Sequence, residues 1–451
     1  MRRDTGPESS ARPALFASWC RLICLTVVTA ASLNGCSGPS RSLDMMPAPG
    51  LYSDAGYDPF PGDAPLPDLP DIPLLYATLR APAQDGDAEK FYANRRGNLL
   101  RVGTAYVRAG SKNFTWEQAR KISLAKNRDR SYPLKVDSVD EMGVIASSVF
   151  APAEVRRTEA GSRAAFAKAV NERLQQSHTK DVYVYVHGYK VVFENPVLVA
   201  SELWHFLGYK GAMIAFSWPA TPHRLAYFSD LETAAMSARG LRRLLTILAR
   251  DTDVERIHLL GYSAGSRVVV ESLGQIAMLH SGEDASEIFG QCKLDQVILV
   301  GSDIDRQSMG AYIDDGLLNA ARHLTVYISR SDQALGLSQR LMGGRNRLGQ
   351  FWSDESMPAE TKAFVDASQR LTLIDVTDAE DFDAGNGHAY FRNSPWVASD
   401  VLLTLGHGFG AGERGLVRED GSSIWRFPAD YVERLHRLLP RLAPRYLDDP
   451  S

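Results

Sequence analysis

Residues 256–265 read Arg-Ile-His-Leu-Leu-Gly-Tyr-Ser-Ala-Gly, and they carry the strongest fold signal in the chain. The apolar run 256–260 predicts a short buried strand, and the pattern from residue 265 to 280 predicts a helix. Between them stands a Gly-x-Ser-x-Gly motif, whose glycines permit a tight turn that Cβ atoms would obstruct. A strand, this turn and a helix together predict a nucleophile elbow, with Ser263 as the nucleophile.

Strand and helix patterns alternate on both sides of this turn. The predicted strands are short, apolar and rich in β-branched residues, which is typical of a parallel sheet buried on both faces. They cover residues 74–78, 99–107, 182–186, 212–216, 256–260, 297–300, 324–328 and 371–376. Helices are predicted over 162–176, 196–207, 230–250 and 265–280, whereas residues 111–150 show no clear pattern. The alternation predicts an α/β-hydrolase fold, a doubly wound and mostly parallel sheet with helices on both faces.

A serine hydroxyl needs a neighbouring base, and in this fold the chain order is serine, acid, histidine. Three histidines lie well after Ser263 with an acid between: His388, His407 and His436. His388 is the preferred base because it lies in a glycine-containing loop soon after the strand 371–376. His407 follows a further helical stretch, and the surroundings of His436 predict a solvated helix face.

The acid should follow the strand that precedes the strand of the histidine. Asp332 comes directly after the strand 324–328, where it would orient His388 and stabilise its protonated form. Asp303 and Asp305 follow the preceding strand and are the competitors. A capping or loop-bonding role is the commoner one for such aspartates.

Acyl transfer also requires hydrogen-bond donors for the developing oxyanion. We expect one from the backbone N–H of Ala264 and the other from Gly188-Tyr189, after the strand 182–186. His187 precedes the serine, in the wrong order for a catalytic base of this fold, so we expect it to shape the loop.

The chain resembles a family of poorly characterised bacterial α/β-hydrolases described as esterase/lipase-superfamily enzymes, many of them lipoproteins. The similar segments are 75–80, 91–97, 186–189, 216–219, 261–267, 303–305, 329–335 and 388–400. The resemblance implies Ser263, Asp332 and His388 as a catalytic triad, in agreement with the chain order. It implies no particular substrate.

The N-terminus has the layout of a secretory signal, with four arginines before an apolar run over 22–31. Leu33-Asn34-Gly35-Cys36 resembles a bacterial lipobox, which predicts lipidation of Cys36. A plain signal, an uncleaved anchor and a misassigned start codon are the alternatives. In such lipoproteins Ser37 favours the outer membrane, facing the periplasm. The predicted organisation is a signal peptide over 1–36, a stiff proline-rich linker over 37–73 and a hydrolase domain over 74–445.

Composition excludes some classes of function. The net charge of −4 gives no basic surface for nucleic acid, and no pattern predicts a metal or another cofactor. We expect a carboxylesterase- or lipase-like enzyme acting on a small-molecule or lipid ester. A peptidase, thioesterase or acyltransferase would use the same residues, and a non-catalytic envelope lipoprotein that binds a partner is the alternative from another class.

The long insertion over 333–370 is a candidate lid. Its arginines Arg340, Arg345 and Arg347 would suit an anionic head group, but a solvated loop is the more usual explanation for such arginines.

Overall fold

A computed structural model describes residues 41–60, 71–110, 114–125, 128, 132–223, 226–330, 332–350, 356–379 and 387–447. The strands are β1 (Ser42–Asp44), β2 (Asp71–Pro82), β3 (Tyr92–Ala109), β4 (Pro133–Ala146), β5 (Asp181–Val186), β6 (Ala212–Ser217), β7 (Arg256–Tyr262), β8 (Leu294–Val300), β9 (His323–Ile328), β10 (Leu371–Asp375) and β11 (Ile424–Arg426).

Helices connect these strands. They are α1 (Gly50–Ser53), α2 (Trp116–Leu124), α3 (Ala153–Gln175), α4 (Glu194–Phe206), α5 (Tyr227–Asp251), α6 (Gly265–Leu279), α7 (Ala285–Cys292), α8 (Arg306–Asp314), α9 (Gln333–Leu341), α10 (Ala359–Ala367), α11 (Tyr390–Asn393), α12 (Pro395–His407) and α13 (Tyr431–Leu442).

All strands of the described chain form one sheet in the order β1-β4-β3-β2-β6-β5-β7-β8-β9-β10-β11. Every neighbouring pair from β2 to β11 in this order is parallel, whereas β1, β4 and β3 add antiparallel ribbons at one side. The prediction of a mostly parallel α/β sheet is confirmed. The stretch 111–150, for which the sequence showed no clear pattern, contains α2 and β4. The last short strand, β11, was not predicted.

The core lies on both faces of the sheet, because the central strands are buried throughout. One face is covered by α4 and α12, and the other by α3, α5 and α6. The chain runs from β5 to β6 on one side and then to β7 on the other side of β5. Loops that leave β5 and β7 therefore diverge, which opens a crevice at their carboxyl ends.

Residues 41–60 belong to the folded domain, so the predicted proline-rich linker is wrong for this part of 37–73. Tyr52, Tyr57 and Phe60 are buried in the core, and the Tyr52 ring stacks on Tyr57 with centroids 5.7 Å apart. Aromatic side chains between the prolines supply apolar area that a solvated tether lacks. The rest of the predicted linker and Cys36 lie outside the described residues, except for the start of β2 at Asp71.

The insertion 333–370 contributes two helices, α9 directly after Asp332 and α10 before β10. Arg347 is buried, and its Nε lies 3.9 Å from a carboxylate oxygen of Asp303. The solvated-loop interpretation is therefore wrong for Arg347, whereas Arg340 and Arg345 are exposed.

Candidate active site

Ser263 occupies the turn between β7 and α6, at the crevice. Its φ is +53°, in the left-handed region that a residue with a Cβ adopts only when the surroundings enforce it. The turn is fastened by the Ser263 N–H, which donates to the Val300 carbonyl at 2.9 Å. A Cβ on Gly265 would lie 2.3 Å from the His187 carbonyl oxygen. The second glycine of the motif is therefore required for α6 to approach β5.

His388 connects Ser263 to Asp332. Its Nε2 lies 2.9 Å from Ser263 Oγ, and its Nδ1 lies 2.6 Å from Asp332 Oδ2. A carboxylate only accepts hydrogen bonds, so Nδ1–H donates to Asp332 and Nε2 is left to accept from the serine hydroxyl. All three residues are buried. The structure thus brings together the three residues predicted as the triad.

Asp332 uses its two carboxylate oxygens for two different partners. While Oδ2 accepts from His388, Oδ1 accepts from the Leu335 N–H at 3.0 Å and caps α9. The amino end of a helix stabilises a negative charge. The helix that opens the insertion is therefore tied to the orientation of the histidine.

Two further residues position the imidazole, and no sequence motif marked them. Gly301, at the end of β8, has a φ of +54°, and a Cβ there would lie 2.9 Å from Cε1 of His388. The Gly301 N–H donates to the Tyr390 hydroxyl at 2.7 Å, and Tyr390 donates to the Tyr327 carbonyl at 3.3 Å. Tyr390 follows His388 by two residues, so these bonds fix the histidine loop to the sheet.

The loop after β5 covers the serine from the other side; residues 187–193 are called the β5 loop below. A Cβ on Gly188 would lie 2.9 Å from Ser263 Cβ and 3.4 Å from its Oγ. The next residue, Tyr189, places its ring edge-on against Tyr227 with centroids 5.5 Å apart. Glycine therefore allows the backbone of the β5 loop to reach Ser263.

Ala264 presents a backbone donor at the same place. It is the N-cap residue of α6 and is buried, and its N–H donates no hydrogen bond within the described chain. An unpaired buried N–H at the amino end of a helix is poised to receive an anion.

His187 lies in the β5 loop as a buried structural residue. Its Nδ1 lies 2.6 Å from the Gly188 carbonyl, its Nε2 lies 3.1 Å from the Trp218 carbonyl, and its ring stacks on Trp218. Burial, aided by the nearby Arg80 charge, lowers the pKa of His187 to about 3. The ring is therefore neutral at physiological pH and shapes the loop.

The family of the chain follows from a comparison with family models. The model described as "Alpha/beta hydrolase of unknown function (DUF900)" matches residues 162–405, more than half of the chain. The chain belongs to this family. The predicted resemblance to poorly characterised α/β-hydrolases is therefore confirmed, and membership supports a hydrolase-like function. No curated protein matches the chain.

The portion that matches the DUF900 family extends from α3 to α12 and contains Ser263, Asp332 and His388. It begins after the antiparallel ribbons of β2, β3 and β4, so these are additional to the matched portion.

Among the described residues no group of His, Cys, Asp and Glu is arranged to hold a metal ion. Nor does any described helix have the length and hydropathy to span a bilayer.

The competing acids have other partners. Asp303 accepts a hydrogen bond from the Tyr227 hydroxyl at 2.7 Å and another from Ser338. Asp305 caps α8 by accepting from the Ser308 N–H at 3.0 Å. Both aspartates therefore fix local structure.

The competing histidines are likewise engaged elsewhere. His407 Nε2 lies 2.8 Å from the Tyr57 hydroxyl, and His436 bonds to the Asp54 carbonyl. Both therefore hold the N-terminal segment that folds onto the domain.

Proposed function

We propose that this protein is a serine hydrolase that cleaves carboxylic esters through Ser263, His388 and Asp332. The observation that carries the proposal is the continuous contact from the carboxylate through the imidazole to the hydroxyl. Membership in an α/β-hydrolase family and the strained backbone of Ser263 support it.

In the proposed acylation step, Ser263 Oγ attacks the ester carbonyl carbon while His388 Nε2 takes the hydroxyl proton. The imidazolium that forms is stabilised by the Asp332 carboxylate. The C–O bond to the alcohol then breaks, and the departing oxygen receives the proton from Nε2. This leaves an acyl group on Ser263, and a water molecule activated by His388 releases it as the acid.

The negative charge on the carbonyl oxygen requires donors on the side opposite the histidine. We assign this role to the backbone N–H groups of Ala264 and Tyr189. The unpaired N–H of Ala264 and the close approach of Gly188 to Ser263 support the assignment. One such donor is worth about 3 kcal/mol of transition-state stabilisation.

A fluorophosphonate probe tests the reaction class because it phosphonylates activated serines only. We expect labelling of the full chain at pH 7–8 and complete loss in Ser263→Ala. Ser272→Ala is the matched control, because Ser272 is a buried serine nine residues further along, in α6. Absence of labelling in the wild type would favour a non-catalytic protein that binds a partner.

A panel of p-nitrophenyl esters of increasing acyl length then tests ester hydrolysis directly. Turnover of esters without turnover of the corresponding anilides supports the esterase. Turnover of anilides at comparable rates would instead indicate a peptidase with the same triad.

We propose further that a lipidated Cys36 holds the enzyme at the cell envelope. The proposed location is the outer membrane, with the enzyme facing the periplasm. The support is the lipobox-like sequence before Cys36. Radiolabelled palmitate should enter the wild type and not Cys36→Ser, and equal incorporation would contradict the anchor.

A further inference from the structure

We propose that Arg80, in β2, is a positioning residue that holds the β5 loop in place over Ser263. The inference rests on the proposed function, because it assigns the catalytic consequence to the oxyanion donors of that same site. Arg80 does not contact Ser263, and it acts through the backbone that it binds.

The Arg80 guanidinium is completely buried and joins separate segments of the chain. Its Nη2 donates to the Val191 carbonyl of the β5 loop at 2.9 Å. Its Nε donates to Ser217 Oγ at 2.9 Å, and Nη1 donates to the Ala220 carbonyl at 3.2 Å and to Asn94 Oδ1 at 2.6 Å. A planar guanidinium presents five N–H donors in a rigid fork, which suits such divergent acceptors.

These contacts fasten the β5 loop at one end, while His187 fastens the other. The Trp218 indole N–H donates to the His187 carbonyl at 2.6 Å, and the two rings stack with centroids 5.3 Å apart. Ser217 and Ala220, which accept from Arg80, flank Trp218. The segment after β6 therefore serves as a common support for both ends of the β5 loop.

The β5 loop requires such support because its backbone is strained. Lys190 has a φ of +66°, in the left-handed region. Such a conformation costs about 1 kcal/mol or more for a residue with a Cβ. Released from Val191, the loop would relax, and the amide of Tyr189 would move relative to Ser263.

Arg80 remains a cation despite its burial. Burial lowers its pKa to about 9, and the buried carboxylates of Glu194 and Asp230 oppose this shift. The guanidinium is therefore protonated at neutral pH. Lysine at this position retains the positive charge but lacks the planar set of N–H donors. Arg80→Lys therefore tests the contribution of the hydrogen bonds without removing the charge.

The first test is the turnover of Arg80→Lys per active site, with active sites counted by fluorophosphonate titration. We expect kcat to fall about 10- to 100-fold while KM changes less than about threefold, since a displaced oxyanion donor affects the transition state. Arg414→Lys is the matched control, because Arg414 is a buried arginine that bonds to Asp400 Oδ1 at 2.7 Å. It should lower Tm and leave kcat per active site within about twofold.

The second test does not depend on activity. Amide hydrogen exchange of the full chain, read by mass spectrometry, should accelerate in residues 187–193 of Arg80→Lys. The same residues should exchange at the wild-type rate in Arg414→Lys. If Arg80→Lys does not fold, Asn94→Ala removes a single acceptor and should give the same local acceleration with a kcat about 3- to 10-fold lower.

The outcomes separate the two proposals. Wild-type exchange in the β5 loop of the Arg80→Lys variant, or wild-type kcat per active site, would overturn the role of Arg80. Absence of Ser263-dependent labelling in the wild-type protein would instead overturn the proposed hydrolase activity. The exchange measurement would still decide whether Arg80 holds the loop.

Discussion

Replacement of Asp332 by asparagine removes a charge from the candidate triad with almost no change in shape. Asp332 Oδ2 lies 2.6 Å from His388 Nδ1, and Oδ1 caps α9 through the Leu335 N–H. Asparagine is as good an N-cap as aspartate, so the helix should survive. The charge-assisted bond to the imidazole is lost.

The size of the effect follows from the geometry. For charge centres about 4 Å apart and an effective dielectric constant of about 20, a carboxylate attracts an imidazolium by about 4 kcal/mol. The imidazolium exists only after proton transfer, so this attraction acts in the transition state and not in the resting enzyme. At 1.36 kcal/mol per tenfold change in rate, kcat should fall about 10³-fold.

The assay is steady-state hydrolysis of a p-nitrophenyl ester, combined with thermal unfolding. Asp305→Asn is the matched control, because Asp305 caps α8 through the Ser308 N–H in the same manner. Asp332→Asn should lose activity while its Tm stays within a few degrees of the wild type. Asp305→Asn should retain both.

A loss of activity below tenfold in Asp332→Asn would refute the assignment of this carboxylate. So would an equal loss in Asp305→Asn, since the effect would then belong to capping aspartates in general.

Gly301→Ala should displace His388, whose Cε1 would lie 2.9 Å from the new Cβ, and lower kcat about 100-fold or more. Gly316→Ala is its control, with a φ of +90° and no neighbour closer than 3.7 Å to the new Cβ; equal losses of activity would contradict the steric argument. Acid should destabilise the fold, because burial lowers the pKa of His187 and of His205 to about 3. The unfolded chain therefore binds more protons than the folded chain between pH 6.5 and 3, so stability decreases as the pH is lowered, by up to about 1.4 kcal/mol per histidine and pH unit. Urea unfolding at pH 7 and pH 5 should show a smaller difference for His205→Gln, and an unchanged difference would refute the role of His205.

Local sequence was sufficient for the central strands and for the elbow. The run 256–260 and the glycines around Ser263 are consecutive residues, and periodicity and turn chemistry act over such short distances. The chain order of the fold also restricted the acid and the base to a few residues. Asp332 and His388 were named because each follows a predicted strand.

Other features depend on contacts between residues that are distant along the chain. Local sequence patterns do not show which of these residues meet. The contact of His388 with Ser263 spans 125 positions, and the bond from Arg80 to Val191 spans 111. Gly301 is distinctive only because an imidazole fills the space beside it. Only the folded sheet brings such residues together.

The N-terminal segment also combines features that local sequence predicts with features that depend on distant residues. Its prolines indicated an extended chain, and the apolar residues between them showed no helical or strand period. Residues 41–60 nevertheless fold onto the domain, because α4 and α12, which lie far along the chain, form a surface that buries their aromatic rings. Ser263 and its turn, by contrast, were determined by the sequence itself, because the glycines that permit the turn stand beside it.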